Sequence, residues 1–211
     1  MKLVEGESGR VRDGDIYPML KRWVAQYSPK NILEVGCGQG VCCERLEYPR
    51  GKYTGIDCDP RLIARAEELY PAVGRKFIVG DACALPVADS SFEAVFTISV
   101  WHLLEDLGKA AAELHRILVE GGQFFIITAN PAAYPYWKDS YSEVKIDGQR
   151  LEGRRPCFDG SLIDEVLYLH PLEQITAALL SAGFRMTEVK TFRSSQKFPG
   201  TDVFLSIQGE K

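Results

Sequence analysis

Three glycines at alternate positions, Gly36, Gly38 and Gly40, follow an apolar run that contains an acid, Ile32-Leu33-Glu34-Val35. Glycine has no Cβ, so it takes positive φ at little cost and lets a ligand lie against bare main chain. The pattern is G-x-G-x-G. The dinucleotide fingerprint G-x-G-x-x-G would place its last glycine at position 41, which is Val41, so this chain departs from it by one residue. Asp57 closes a second apolar stretch, about 20 residues beyond the first glycine, where a carboxylate can accept from the two hydroxyls of a ribose. Asp59 is a rival for that role, but its place before Pro60 suits a helix cap better. Asp81 ends a third apolar stretch, and Ser99 and His102 follow a fourth. A histidine, with a reference pKa of about 6.5, can take a proton from an attacking hydroxyl or amine; holding its loop is the structural alternative.

These residues can meet only if each acid stands at the carboxyl end of a strand, where the ligands of open α/β sheets sit. The chain has that rhythm. Strands are expected over 31–36, 52–57, 75–80, 93–99 and 123–129, with helices over 39–47, 60–70 and 107–119 between them. Glu120-Gly121-Gly122 is expected to terminate the last of these helices. Asp13 or Asp15 is expected to cap an earlier helix that runs to Tyr27 and ends at Ser28-Pro29. Alternation of this kind implies parallel strands joined by right-handed crossovers. Residues 131–170 break the rhythm and hold Tyr134, Tyr136, Trp137, Tyr141, Phe158 and Tyr168; a long aperiodic stretch in a compact domain is usually functional, here as a lid or acceptor-binding insertion. A helix from His170-Pro171 to Ala182 and strands over 185–192 and 201–207 complete the pattern.

The 211 residues suit one domain, and 45% hydrophobic with 26% charged content is that of a globular protein. The polar start Met1-Lys2-Leu3-Val4-Glu5-Gly6 and the absence of a long apolar run predict neither a signal peptide nor a membrane span, hence a cytoplasmic protein. A net charge of −4 argues against nucleic acid. The six cysteines (Cys37, Cys42, Cys43, Cys58, Cys83, Cys157) form no C-x-x-C pair and no histidine lies at ligand spacing, so no metal is expected and the thiols are read as reduced.

In ordered succession, ILEVGCGQG (32–40), YTGIDCDP (53–60), FIVGDACALPVADSSFEAVF (77–96), SVWHLLED (99–106) and ELHRILVEGGQFFI (113–126) resemble the class I S-adenosylmethionine-dependent methyltransferases, in particular their small-molecule, type 11-like branch. That resemblance implies a Rossmann-like three-layer α/β/α sandwich around a seven-stranded, mostly parallel sheet with an antiparallel C-terminal strand. It implies S-adenosyl-L-methionine as cofactor, with Glu34 near its methionine amine, Gly36, Cys37 and Gly38 as backbone platform, and Asp57 on the ribose. Cys58 would lie against the adenine face, Asp81 would accept from the adenine amino group, Ala82 would donate its N–H to the ring, and Ser99 would complete the set. Tyr17 would close over the methionine end, Tyr134, Tyr136 and Trp137 would wall the acceptor, and His102 would be the candidate base. His115 reads as structural, and His170 as a cap or a pocket residue.

Asn130-Pro131-Ala132-Ala133-Tyr134 is similar to the N-P-P-Y motif of amino-group methyltransferases, but it follows the fifth strand instead of the fourth and lacks a proline. Pro156-Cys157 likewise lies in the wrong segment to be a cytosine-methylating nucleophile. The expected function is methyl transfer to a small-molecule acceptor by in-line displacement, by a monomer or homodimer. A protein or RNA methyltransferase, supported by the cluster Arg150, Arg154 and Arg155, is one alternative; a non-catalytic cofactor-binding partner subunit is another.

Overall fold

The computed structural model describes residues 12–46, 52–137, 140–156, 161–193 and 202–211, without the side chains of Tyr136, Trp137 and Pro156. The central strands are apolar on both faces because helices cover both. They are β1 (Asn31–Val35), β2 (Lys52–Asp57), β3 (Arg75–Val79), β4 (Phe92–Ile98) and β5 (Leu118–Ala129). After an inserted segment come β9 (Arg185–Phe192) and β10 (Phe204–Glu210), and the sheet order is β3-β2-β1-β4-β5-β10-β9. The first five strands pair in parallel and β10 runs antiparallel to both its neighbours. This is the expected mostly parallel seven-stranded sheet with one antiparallel strand near the C-terminus.

Successive side chains of each strand feed opposite layers. Ile32, Phe96 and Phe125 pack with α1 (Tyr17–Tyr27), α2 (Val41–Arg45) and α3 (Pro60–Leu69). Leu33, Val95 and Phe124 pack with α4 (Leu107–Ile117) and α6 (Leu172–Ser181) on the other face. The order reverses between β1 and β4, which opens a crevice at their carboxyl ends, the place where such sheets bind ligands. Asp59 caps α3 as expected, its side chain accepting from the Arg61 N–H at 2.8 Å with Pro60 in the first helical position. Among the described residues no helix is long and apolar enough to cross a membrane.

Four expectations are corrected. Neither Asp13 nor Asp15 caps α1: residues Arg12–Ile16 form a π-type turn that runs straight into the helix, and Asp13 pairs instead with Arg45 at 3.3 Å. The helix over 107–119 ends at Ile117, and Glu120-Gly121-Gly122 does not terminate it. Leu118 is fully buried and already pairs with Phe92, so burial carries the chain directly into β5, where the glycines sit at a register shift. The last strand is 204–210 rather than 201–207, because it is pinned by seven paired positions on β5.

The fourth correction concerns 131–170, which is not aperiodic. After a short helix, α5 (Tyr134–Trp137), it forms a separate antiparallel sheet of β6 (Ser142–Asp147), β7 (Arg150–Pro156) and β8 (Leu162–Tyr168). Gly148-Gln149 makes the two-residue β6–β7 turn between the paired Asp147 and Arg150, with Gly148 at φ 57° in the first central position, where hairpin loops favour glycine. Charged residues on both faces hid the alternation. Cys157 lies outside the described residues, as do residues 1–11 and most of the β9–β10 connection; the five described cysteines are free thiols.

Candidate functional site

The first turn after β1 builds the floor of the site. Gly36 sits at φ 77°, and its N–H and that of Cys37 both donate to the Ile56 carbonyl, at 2.7 and 3.0 Å. A Cβ on Gly36 would meet Val100 Cγ2 at 2.2 Å, so the chain passes here only as glycine. Asp57, at the end of β2, accepts from the Gly38 N–H at 2.8 Å with one carboxylate oxygen and from the Asp59 N–H at 3.0 Å with the other. That ties the glycine turn to the neighbouring strand. Asp81 is exposed after β3 and holds its own loop by accepting from the Cys83 N–H at 2.8 Å.

A cleft of about 530 Å³ opens above this floor. All nine residues expected on the cofactor side line it: Glu34, Gly36, Cys37, Gly38, Asp57, Cys58, Asp81, Ala82 and Ser99. Tyr17 lines it from α1, with its hydroxyl buried. The residues fit an elongated polar ligand. A Cβ on Gly38 would meet nothing within 4 Å, so the turn is open to the cleft. Gln39 lines it too; the residue is 2% exposed, yet neither amide atom has a partner among the described residues. An unpaired buried amide is costly, which marks the place for a hydrogen-bonding ligand.

Sequence reading passed over Gln39 and Arg12. Gln39 stood in plain view inside the glycine motif as an uncharged spacer. Arg12 sits in the irregular turn before α1 and gave no periodic signal; it lines the cleft half-buried.

Glu34 is a buried acid, 2% exposed, and accepts from the Tyr53 hydroxyl. Burial drives its pKa up to about 7, against the opposing pull of the Tyr53 and Cys42 hydrogen bonds and the Arg12 charge. The unfolded chain therefore releases this proton at lower pH than the folded one, so folded stability falls as pH rises from about 4.5 to about 7. In the free protein this amounts to about 3 kcal/mol, and Glu34→Gln is expected to abolish it. Thermal unfolding of both proteins at pH 5, 6, 7 and 8 checks this; parallel pH profiles would refute it.

His102 does not line the cleft. It follows β4 in a short 3₁₀ turn (Trp101–Leu103) and faces a separate, water-sized void of about 10 Å³, walled by Trp101, Thr128, Leu167, Tyr168 and His170. Its Nδ1 lies 3.0 Å from Thr128 Oγ1. Burial lowers its pKa to about 4; Arg155 and Arg12 push the same way and Glu165 opposes them. The ring is thus neutral at pH 7 and a weak base, and its contact with Thr128 fits the loop-holding alternative named beside the candidate base. His170 is buried, donates from Nε2 to the Leu104 carbonyl at 2.6 Å and stacks on Tyr168, so it ties the end of β8 to the cleft wall. His115 packs edge-on against Phe184, in the structural role expected of it.

Tyr134 opens α5 and is partly buried; Tyr136 and Trp137 continue that helix, but their side chains lie outside what the structure describes. The arginines of the inserted sheet are engaged within it: Arg150 with Glu152, Arg154 with Asp164 and Glu143, Arg155 with Glu165. Among the described residues no group of acids, cysteines and histidines is placed to hold a metal ion.

Comparison with known proteins agrees with this geometry. A family model described as a methyltransferase domain matches residues 33–126. A fatty-acid O-methyltransferase of Mycolicibacterium smegmatis is 30% identical over 64% of this chain and 50% of its own length. A malonyl-[acyl-carrier protein] O-methyltransferase of Geobacter sulfurreducens is 29% identical over 84% of this chain and 64% of its own. The chain thus spans between half and two thirds of the length of these relatives. A crystal structure of a Pyrococcus horikoshii protein superposes with a TM-score of 0.79 at 18% identity, covering 98% of this chain and 92% of that one, a likeness of fold.

Proposed function

We propose that this chain, whose residues 33–126 match a methyltransferase-domain model, is a class I S-adenosylmethionine-dependent methyltransferase that transfers a methyl group to a small-molecule acceptor at the cleft above β1, β2, β3 and β4. The observation that carries the reading is the convergence of nine residues from four strand ends on one cleft, together with the unpaired buried amide of Gln39. When bound, S-adenosylmethionine supplies a methyl group already activated by a sulfonium leaving group.

What the protein adds is binding, alignment and exclusion of water, and alignment alone can be worth roughly 7–11 kcal/mol. Asp57 would hold the ribose hydroxyls while it fixes the Gly38 turn. Asp81 and the Ala82 N–H would read the adenine edge, with Cys58 against its face. Glu34, Cys37 and Gln39 would meet the methionine end under Tyr17, and Ser99 would close the wall after β4. The inserted sheet would serve as the lid, with Tyr134, Tyr136 and Trp137 at the acceptor side. His102, which faces the separate void, would hold the loop after β4 through Thr128. The relatives named above are a fatty-acid and a malonyl-[acyl-carrier protein] O-methyltransferase, and the first of these supports a small-molecule acceptor here. The internal pairing of Arg150, Arg154 and Arg155 withdraws the one feature that favoured a protein or RNA acceptor.

The test is calorimetric titration with S-adenosylmethionine, S-adenosylhomocysteine and NAD. Micromolar binding of the two sulfur compounds and none of NAD is expected. Folded protein that binds neither sulfur compound would end this reading.

A further inference from the structure

Of the acids that line the cleft, Glu34 alone among the described residues is buried. On β1 it stands opposite Gly55 of β2 on one side and Phe96 of β4 on the other, so neither register neighbour has a polar side chain to offer it. Position 55 has no room for one: a Cβ there would meet Cys37 Sγ at 2.8 Å and Phe77 Cδ1 at 2.9 Å. The hydroxyl that reaches the carboxylate comes from one pair further back. Tyr53, opposite Ile32, shares the sheet face of Glu34, and its side chain is long enough to span the diagonal.

Tyr53 is itself fixed. It is buried, and its ring meets Phe77 edge-on with centroids 5.9 Å apart. It does not line the cleft. Without that anchor the glutamate side chain must be ordered afresh each time its carboxylate serves a ligand, an entropic cost that Tyr53 removes in advance. The other titratable or charged groups facing Glu34 are Tyr17 from α1, Arg12 from the turn before it, Cys42 and Cys43 from α2, Cys37 from the glycine turn and Asp57 from β2. Arg12 is the cation of this group, and it acts on Glu34 through its charge, not through a hydrogen bond. A buried carboxylate held by neutral donors suits a cation brought by the ligand.

We propose that Tyr53 is a positioning residue: from behind the cleft it holds the Glu34 carboxylate toward the amino-acid end of the cofactor, and so sets how tightly the protein grips the cofactor's ammonium group. This role rests on the methyl-transfer reading above. Ribose and adenine fall to Asp57 and Asp81, whose own bonds run to Gly38, Asp59 and Cys83 and not to Tyr53. The Tyr53 bond also favours the ionised form of Glu34, the form an ammonium group needs. Its loss raises further the pKa that burial already drives to about 7, so the penalty for losing it is larger at pH 6 than at pH 9.

The probes are S-adenosylhomocysteine and 5′-methylthioadenosine, which keeps the adenine, ribose and thioether but has no amino acid. Wild type is titrated calorimetrically with S-adenosylhomocysteine first; folded protein that does not bind it ends the methyl-transfer reading, and this role with it. Tyr53→Phe, Glu34→Gln and the double variant follow, with circular dichroism as the folding control; Tyr53→Phe keeps the ring against Phe77. At pH 7, Tyr53→Phe is expected to weaken S-adenosylhomocysteine about tenfold and 5′-methylthioadenosine by less than about twofold. The tenfold loss should shrink toward pH 9, and on the Glu34→Gln background it should fall below about twofold. A tyrosine that only supports the core would move both ligands together at every pH. Equal losses for the two ligands, an unchanged S-adenosylhomocysteine affinity in Tyr53→Phe, or the full loss on the Glu34→Gln background would overturn the proposal.

Discussion

Asp57→Ala is expected to weaken S-adenosylmethionine binding by about a hundred- to a thousandfold while leaving the protein folded. Two losses combine. The carboxylate that would accept from the ribose hydroxyls goes, and hydrogen bonds to a charged group contribute roughly 1.5–3 kcal/mol each. The Gly38 and Asp59 N–H groups, held at 2.8 and 3.0 Å, also lose their acceptor, so the glycine turn is freed from β2. About 3–4 kcal/mol in total corresponds to that fold-change. Asp57→Asn should fall between, since it keeps one acceptor oxygen but sets an amide N–H against a backbone N–H. Calorimetry with circular dichroism as a folding control decides; a dissociation constant within about threefold of wild type in Asp57→Ala would remove Asp57 from the site.

Gly36→Ala acts on stability. Its φ of 77° is costly for alanine, by about 1–2 kcal/mol, and the new Cβ would stand 2.2 Å from Val100 Cγ2, adding roughly 1–3 kcal/mol of overpacking. The melting temperature should fall by about 5–15 °C. Val100→Ala in the same chain removes the clashing methyl and should restore the overpacking share while the backbone cost stays, which is a non-additive double-mutant cycle. Gly38→Ala is the contrast. With φ 54° and open space around its Cβ position, it pays only the backbone cost in stability, but it puts a methyl on the floor of the cleft and should lower ligand affinity. Differential scanning fluorimetry of the four proteins checks the order; a Gly36→Ala protein as stable as wild type would contradict the packing.

The parts of the fold that could be read in advance are those where one strong local signal had no competitor. β1 to β3 announced themselves as apolar runs closed by glycine or acid, β4 as one closed by Ser99, and Asp59-Pro60 announced the start of α3. The positions of Glu34, Asp57, Asp81 and Ser99 followed, because in a parallel sheet every carboxyl end opens on the same side. The inserted sheet was hidden because it is a thin, two-faced layer: Arg150, Glu152, Arg154 and Asp164 pair across its outer side, while Leu151 and Leu167 supply only a short buried stripe. Gly148 in the two-residue loop Gly148-Gln149 was the available signal. The early start of β5 was misread because glycines that end a helix and glycines at a bulge look alike in sequence. His102 was placed one wall away from where it lies, since a 3₁₀ turn rotates successive side chains to different cavities. Gln39 emerges only from three-dimensional accounting of which buried polar groups lack partners, and Arg12 only from the lining of the cleft.

β10 lies between β5 and β9, although it follows both in the chain. During synthesis, β5 can pair with β4 as soon as it emerges, but its other edge stays open through the whole inserted segment, α6 and β9. That edge is Phe124 to Ala129, one of the most apolar stretches of the molecule, and β9 cannot cover it because it docks only through β10. An unpaired apolar edge is a template for the wrong partner. The nascent chain therefore passes through a window in which it is competent to mispair with another copy of itself, and the window shuts only when residues 204–210 clear the ribosome. Slowed translation across that interval should raise aggregation more than the stability of the finished fold would suggest.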